Sequence, residues 1–176
     1  YAGEVNTLGL IDGPGTDARF SYPSSLAIDG ADNIYVSQTG YNSDGIRLNA
    51  AIRKISPAGM VSTIAGGGVS EYLDGTGTQA RFVSPIEIEL DREGNLYIAD
   101  QLRIRKLSPD GVVSTLAGGT SGTTNGTGTD ALFRYLYDIT TAISGTLYVA
   151  SGYDPLRKIT PDGVVTNLFD SDSGSP

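Results

Sequence analysis

The sequence predicts an all-β protein, a β-propeller of which this chain holds three four-stranded blades. Three observations support this: a unit repeated three times, apolar residues that alternate along short segments, and turn residues between those segments. With 176 residues, 39% of them hydrophobic, the chain can bury a core, and 24 Gly and 8 Pro fit short strands joined by tight turns. A β-solenoid is the alternative, but its coils are usually shorter and lack hairpins.

Four landmarks recur in each copy of the repeat. The first reads DGPGTDARF from Asp12, DGTGTQARF from Asp74 and NGTGTDALF from Asn125. A segment containing a tyrosine follows, then an Arg-Lys segment that ends in Pro, and then a Val-rich segment that ends in Ala-Gly in the first two copies. A fixed period of this kind excludes most other architectures.

Each copy therefore offers four strands, which in the first copy are residues 24–29, 33–38, 51–56 and 60–65. The first copy also carries an inserted loop, residues 39–49. We expect blade 1 at residues 1–66, blade 2 at 67–118, blade 3 at 119–170 and a polar tail at 171–176. Tyr1-Ala2-Gly3 matches Ile64-Ala65-Gly66, so we expect the chain to begin at the end of a strand that belongs to a preceding blade.

The pattern DGxGTxAxF…P…GNLYIAD…IRKLSPDGVVSTLAGG resembles the NHL repeat family over nearly the whole chain, most closely in the copy that begins at Asp74. The resemblance implies a propeller that is usually six-bladed, so three copies are half of a ring or part of an open array. It is specific for fold and weak for function, because NHL propellers include sensors, RNA binders, ubiquitin-ligase substrate modules, lyases and extracellular scaffolds.

Composition excludes several kinds of chemistry. The chain has no Cys and no His, which removes thiol nucleophiles, imidazole bases and the commonest zinc ligands. The His-based metal sites of lyase relatives therefore cannot be formed here, and we expect no catalytic residue, no metal and no cofactor. A net charge of −8 disfavours nucleic acid, and the sequence has no apolar run of the ~20 residues needed for membrane insertion.

Binding residues are expected on the face that carries the long loops. Antiparallel strands alternate direction, so the short turns share one end of a blade and the long connections share the other. Polar and aromatic side chains of the inserted loop and of the corresponding connections are the candidates: Tyr41, Asn42, Asp44, Arg47, Gln101, Tyr153 and Asp154. A loop elongation without a partner is the competing interpretation.

Other repeated polar residues are interpreted as framework. Arg53, Arg105 and Arg157 each precede a lysine, and we expect structural contacts for the arginines and solvent for the lysines rather than an anion site. Asp100 stands at a position filled by Gln38 and Ser151 in the other copies, so any role is local to blade 2. The Asp-Gly pairs are read as turns rather than calcium ligands.

Two classes of function remain. The first is a non-catalytic binding or scaffold module that contacts protein, either further copies of itself or missing blades. It is expected outside the cell, at the cell surface or in the periplasm, because the chain is acidic, free of Cys and poor in Lys. The second is a fragment of a propeller enzyme, a lyase or hydrolase whose catalytic residues lie in blades absent from this chain.

Overall fold

The computed structural model describes residues 2–40, 46, 48–152 and 154–169. In these residues the predicted all-β class is confirmed, since the strands form three antiparallel sheets with one repeat in each. Short 3₁₀ turns at Gly77–Gln79 and Gly128–Asp130 accompany them. Within the described part of the chain, no helix is long and apolar enough to cross a bilayer.

Each sheet is one blade. Blade 1 contains β1 (Gly13–Pro14), β2 (Pro23–Ile28), β3 (Ile34–Gln38), β4 (Leu48–Ile55) and β5 (Met60–Val69). Blade 2 contains β6 (Gly75–Thr76), β7 (Pro85–Leu90), β8 (Leu96–Asp100), β9 (Arg103–Leu107) and β10 (Val112–Ala117). Blade 3 contains β11 (Gly126–Thr127), β12 (Leu136–Thr141), β13 (Leu147–Ser151), β14 (Arg157–Ile159) and β15 (Val164–Asn167).

The blades have five strands rather than the predicted four. The added strand is the Asp-Gly landmark itself, which pairs antiparallel with the fourth long strand of its own blade, as Gly13 with Val61 does in blade 1. The order in that blade is β1-β5-β4-β3-β2, and the other two blades repeat it. The strand was missed because it has only two residues and no alternating apolar pattern.

Blade 1 differs from the prediction in a second way. Strand β4 begins at Leu48, so the last two residues of the predicted loop, 48 and 49, belong to a strand. Strand β5 continues to Val69, past the boundary expected at residue 66. The two long strands pair beyond the usual blade length, with Ala50 opposite Gly68, which lengthens this hairpin at the end where the long loops lie.

The core lies between blades rather than within one. One cluster joins blades 1 and 2 through Ile52, Ala65, Ile88 and Ile98, and another joins blades 2 and 3 through Ile104, Leu136 and Ile139. Blade 2 is therefore covered on both faces, and all five residues of its strand β8 are buried. Each end blade uses only one face in this way.

Candidate functional site: the two end faces of the blade stack

A buried arginine fastens each blade at its rim. The side chains of Arg53 and Arg105 are fully buried and Arg157 is nearly so, which agrees with the framework role predicted for them. In blade 1 the Nη1 of Arg53 donates to the carbonyl of Arg19 at 2.9 Å, and its Nη2 donates to the carbonyl of Ile11 at 2.8 Å. The arginine thereby holds the segment that precedes β2 against the blade.

The acceptors around this arginine differ from blade to blade. Arg53 bonds to Asp12 at 2.8 Å and to the amide oxygen of Gln38 at 3.0 Å. Arg105 bonds to Asp74 at 2.7 Å, and Arg157 bonds to the amide oxygen of Asn125 at 2.8 Å. These bonds engage the Nη atoms, and the whole guanidinium group of each arginine is buried, so the arginines are not open to an anion from solvent.

The aspartate that accepts a hydrogen bond from the arginine also bonds to the last long strand of its blade. Asp12 accepts from the backbone N–H and the hydroxyl of Thr63, both at 2.9 Å, and Asp74 makes the same two bonds to Thr115. Burial alone would raise the pKa of Asp12 and Asp74, but the threonine and arginine donors outweigh it and hold each pKa below its usual value. These carboxylates are accordingly charged structural acceptors at neutral pH.

Asp100 occupies the most buried position in this framework. Its Oδ1 accepts from the N–H groups of Val83 and Ser84 at 2.9 and 2.6 Å, and its Oδ2 lies 3.2 Å from Nη1 of Arg105. Burial raises the pKa of Asp100 to about 6, although these N–H groups and Arg105 act in the opposite direction. The residue orients the entry to β7 and does not face solvent.

Five of the seven candidate binding residues lie outside the described residues: Tyr41, Asn42, Asp44, Arg47 and Tyr153. Gln101 is half-buried, has a φ of 56°, and bonds through its carbonyl to the N–H of Leu136. Its amide oxygen accepts from the hydroxyl of Tyr72 at 3.3 Å. This residue joins blades 2 and 3, and its use as a ligand contact stays a prediction.

Asp154 is the other candidate that the structure describes. Its carboxylate accepts from the hydroxyl of Ser151 at 3.2 Å and lies 3.9 Å from Nε of Arg134. Its backbone N–H bonds to the carbonyl of Ser151. These contacts lie within blade 3 and do not join Asp154 to Gln101.

The acidic residues of the short turns act as turn acceptors. Asp29 accepts from the N–H of Ala31 and from the side chain and backbone of Asn33, and these bonds lower its pKa to about 2. Asp91 holds Asn95 in the same way. Asp29 and Asp91 line a cavity of about 410 Å³ at this end of the blades. No group of metal-binding residues occurs among the described side chains.

The face of blade 1 that points away from blade 2 is open. Leu26 is 66% exposed there, whereas the equivalent residues of the next two blades, Ile88 and Ile139, are 1% and 3% exposed. Ile28, two residues along the same strand, is also exposed. We call this surface, Leu26 and Ile28 with the strand that carries them, the blade-1 end face.

The face of blade 3 that points away from blade 2 is also open, and it is the kind of face that a following blade covers in blades 1 and 2. Leu156 is 51% exposed, whereas the equivalent Ile52 and Ile104 are both 0% exposed because the next blade covers them. Tyr148 is exposed where Tyr97 is buried. A groove of about 190 Å³ crosses this surface, which we call the blade-3 end face, and it is lined by Asp138, Thr140, Tyr148, Ala150, Leu156 and Leu168.

Sequence reasoning did not select the end-face residues. A signal was present, because Leu26 and Leu156 align with positions that must be buried wherever two blades meet. The signal required knowing which face of a strand meets which neighbour, and the two-residue alternation does not give this.

The N-terminal segment lies where the expected strand end would be. The Cα of Gly3, with a φ of 93°, packs so closely against Phe20 that an added Cβ would lie 3.2 Å from its ring. Gly66 packs on Phe82 and Gly118 on Phe133 with similar φ values of 84° and 101°. Gly3 therefore takes, in front of blade 1, the position that Gly66 takes in front of blade 2.

No family model and no curated protein matches this chain. Solved structures do resemble it. An auxiliary nutrient binding protein from Bacteroides thetaiotaomicron superposes with a TM-score of 0.57 at 18% identity, over 72% of this chain and 34% of its own. A streptogramin B lyase superposes with a TM-score of 0.56 at 14% identity, over 85% of this chain and 42% of its own.

These likenesses concern the fold. At such identities they show an architecture of propeller blades, three of them in this chain, and the chain spans well under half the length of either protein. The partial β-propeller predicted from the repeats is thus supported by both its own sheets and its structural relatives.

Proposed function

We propose that this chain is a non-catalytic binding or scaffold module that contacts other propeller blades through its two end faces. The observation that carries the proposal is the exposure of Leu26 and Leu156 at positions that are buried wherever blades meet inside the chain. Burying a leucine side chain contributes about 1.5–3 kcal/mol. An exposed surface of this shape and composition is suited to receive another blade.

The polar framework supports the same proposal. The buried guanidinium of each blade bonds to carbonyl, carboxylate or amide oxygens of its own blade, and the acidic residues of the turns bond to neighbouring N–H groups. These groups serve the fold, whereas the apolar end faces are what the fold leaves uncovered. Assembly by burial of apolar surface follows from that arrangement.

We place this module outside the cytoplasm, in the surroundings that the composition favours. A chain without Cys has no dependence on the redox state of its compartment, and its net charge of −8 keeps it soluble where assembly is needed. The proposal includes neither nucleic acid binding nor membrane insertion.

Sedimentation equilibrium over a hundredfold range of concentration tests the proposal. We expect the wild type to associate above the 18.3 kDa of one chain. The double variant Leu26→Asp/Leu156→Asp should remain monomeric, because association would bury its two new carboxylates. Val112→Asp is the matched control, since Val112 is 41% exposed on the middle blade, which both neighbours already cover. A wild type that stays monomeric throughout would contradict the proposal.

A further inference from the structure

We propose that a pocket between blades 1 and 2 binds a small organic acid, with the carboxylate of the acid on Lys54 and its apolar part on the floor of the pocket. This inter-blade pocket lies at the end of the blades that carries the short turns and has a volume of about 300 Å³. Blade 1 lines it with Tyr35, Lys54 and Ile64, and blade 2 lines it with Leu96, Leu107 and the turn at residues 108–111. Two neighbouring blades of the chain form the pocket, so it does not depend on what covers the end faces.

The size of the pocket suits a small molecule. Ligand sites in proteins occupy about 300–1,000 Å³, and a cavity of about 150 Å³ holds benzene. At about 300 Å³ the inter-blade pocket therefore admits a ring or a branched chain together with a polar head group.

The floor of the pocket is apolar. Leu96 and Leu107 are 2% and 3% exposed, and both belong to the core cluster that joins blades 1 and 2. Ile64 packs against the same cluster from blade 1. An apolar group that enters the pocket leaves water for this core, which stabilises the complex in proportion to the area that it buries.

Lys54 supplies a positive charge at the wall of the pocket. It is half-buried, although we expected it to face solvent. Its Nζ lies 5.5 Å from the centre of the ring of Tyr35, the residue opposite it on β3, and the hydroxyl of Tyr35 donates to Asp29 at 3.0 Å. Among the residues that the structure describes, the ammonium group has no carboxylate as an ion-pair partner. The fold therefore positions this cation and leaves it open to an anion from solvent.

The charges around the pocket favour a carboxylate over a phosphate. Lys54 is the cation that lines it, whereas Asp110 places a carboxylate on its rim and accepts a hydrogen bond from the hydroxyl of Ser108. A phosphate group carries a charge of about −1.5 to −2 at pH 7 and gains most from several charged donors. One ammonium group matches the single charge of a carboxylate, and Asp110 disfavours a second negative charge in the ligand.

The interface between blades 2 and 3 provides an internal comparison, because its blades lie closer together at the equivalent point. There Lys106 lies over Tyr97, 5.7 Å from the centre of the ring, and Tyr97 is 3% exposed. A Cβ added to Gly163 of blade 3 would lie 2.8 Å from the carbonyl oxygen of Leu116, whereas one added to the equivalent Gly111 of blade 2 would meet nothing within 4 Å. The turn of blade 3 thus contacts blade 2, whereas the turn of blade 2 leaves the inter-blade pocket open.

Isothermal titration calorimetry of the chain with sodium phenylacetate and with sodium isovalerate tests the proposal. These probes join a carboxylate to a ring and to a branched chain, and we expect saturable binding with a Kd of about 1 mM or lower. Phenylacetamide has nearly the same shape without the charge. It should bind at least about tenfold more weakly than phenylacetate, because a hydrogen bond between charged groups contributes about that factor or more. Amide chemical-shift changes in NMR spectra should be centred on residues 94–96 and 107–111.

Variants of two lysines locate the site. Lys54→Gln removes the charge and keeps most of the side chain, so the affinity for phenylacetate should fall about tenfold or more, whereas Lys54→Arg keeps the charge and should retain binding. Lys106→Gln is the matched control, since it removes the same contact with a tyrosine from the more closed interface and should leave the affinity unchanged. Thermal melting followed by circular dichroism establishes that each variant folds, and the comparison with phenylacetamide needs no variant.

Three results would overturn the proposal: no saturable binding of either acid, equal affinity for phenylacetate and phenylacetamide, or an equal loss of affinity in Lys54→Gln and Lys106→Gln. Binding of the acids that depends on Lys54 and not on Lys106 supports it. None of these outcomes bears on association through the end faces, which sedimentation measures separately.

Discussion

Blades 2 and 3 place the same arginine in two different electrostatic settings. Arg105 lies between two carboxylates, Asp74 at 2.7 Å and Asp100 at 3.2 Å. Arg157 donates hydrogen bonds to neutral acceptors, namely the carbonyls of Leu132 and Thr124 and the amide of Asn125, and the carboxylate of Asp154 acts on it only through space. The two guanidinium groups nonetheless take the same position over a phenylalanine ring. The comparison teaches that the geometry of the blade fixes the arginine and that the charge around it can vary.

The largest expected effect comes from removing the arginine from blade 2. Arg105→Met leaves Asp100 buried without its cation, and losing one partner of a buried pair costs about 3–5 kcal/mol. Arg157→Met removes bonds to neutral acceptors, and the nearby carboxylate of Asp154 keeps its own contacts with Ser151 and Arg134, so this change should cost about 1–3 kcal/mol. Urea unfolding followed by circular dichroism measures both. Equal losses in the two blades would contradict the electrostatic difference.

The second effect is a pH dependence that only blade 2 should show. The pKa of Asp100 in the folded chain, about 6, lies above the 3.8 of an aspartate that is free of such surroundings. Folded chains therefore bind more protons between these values, and this group's contribution to stability is present at low pH and lost as pH rises through 6. Two pKa units correspond to about 3 kcal/mol.

The Asp100→Asn variant isolates this contribution. Its free energy of unfolding, measured at intervals from pH 4 to pH 7.5, should fall less than that of the wild type, and the fall that remains is expected from Glu87, whose pKa burial also raises. Gln38→Asn is the matched control in blade 1, where the acceptor is already an amide, and it should keep the wild-type slope. Parallel pH profiles for Asp100→Asn and the wild type would show that Asp100 keeps an ordinary pKa in the folded chain.

The smallest effect comes from giving blade 3 the carboxylate that it lacks. Asn125→Asp places a charged acceptor at the oxygen that now lies 2.8 Å from Arg157, and a charge-assisted bond should stabilise the chain by about 1 kcal/mol. Differential scanning calorimetry at pH 7 detects the rise in melting temperature. Ser144→Asp, in an exposed short turn of the same blade, is the control for added charge alone. An equal rise in the melting temperature of both variants would show that the stabilisation does not come from the bond to Arg157.

The repeats predicted the blades because alternation and turns are local properties of the chain. The framework role of Arg53, Arg105 and Arg157 also followed, since a repeated cation is better explained by a repeated contact than by three ligand sites. The two-residue strand at Gly13–Pro14 and its equivalents were missed. The contacts of the adjacent Asp12 with Thr63 and Arg53 form only in the folded blade, so no local sequence pattern indicates them.

The end faces could not be predicted from the sequence for a different reason. Leu26 carries the same apolar character as the buried Ile88, and only the presence or absence of a neighbour makes one exposed and the other buried. A sequence records the side chain but not its neighbour across a gap between blades. The binding role of the loop candidates, of which Gln101 is one, remains a prediction from the sequence.

The link between Asp12 and Arg53 has a consequence for how the chain folds. Its ends are 41 residues apart, and the corresponding link between Asp74 and Arg105 spans 31. Because each blade is fastened by residues of its own repeat, contacts between distant repeats are not required to close it, and short loops close quickly. During synthesis the first blade can therefore be complete before the third has left the ribosome. Blade 1 would expose the face that blade 2 later covers throughout that interval.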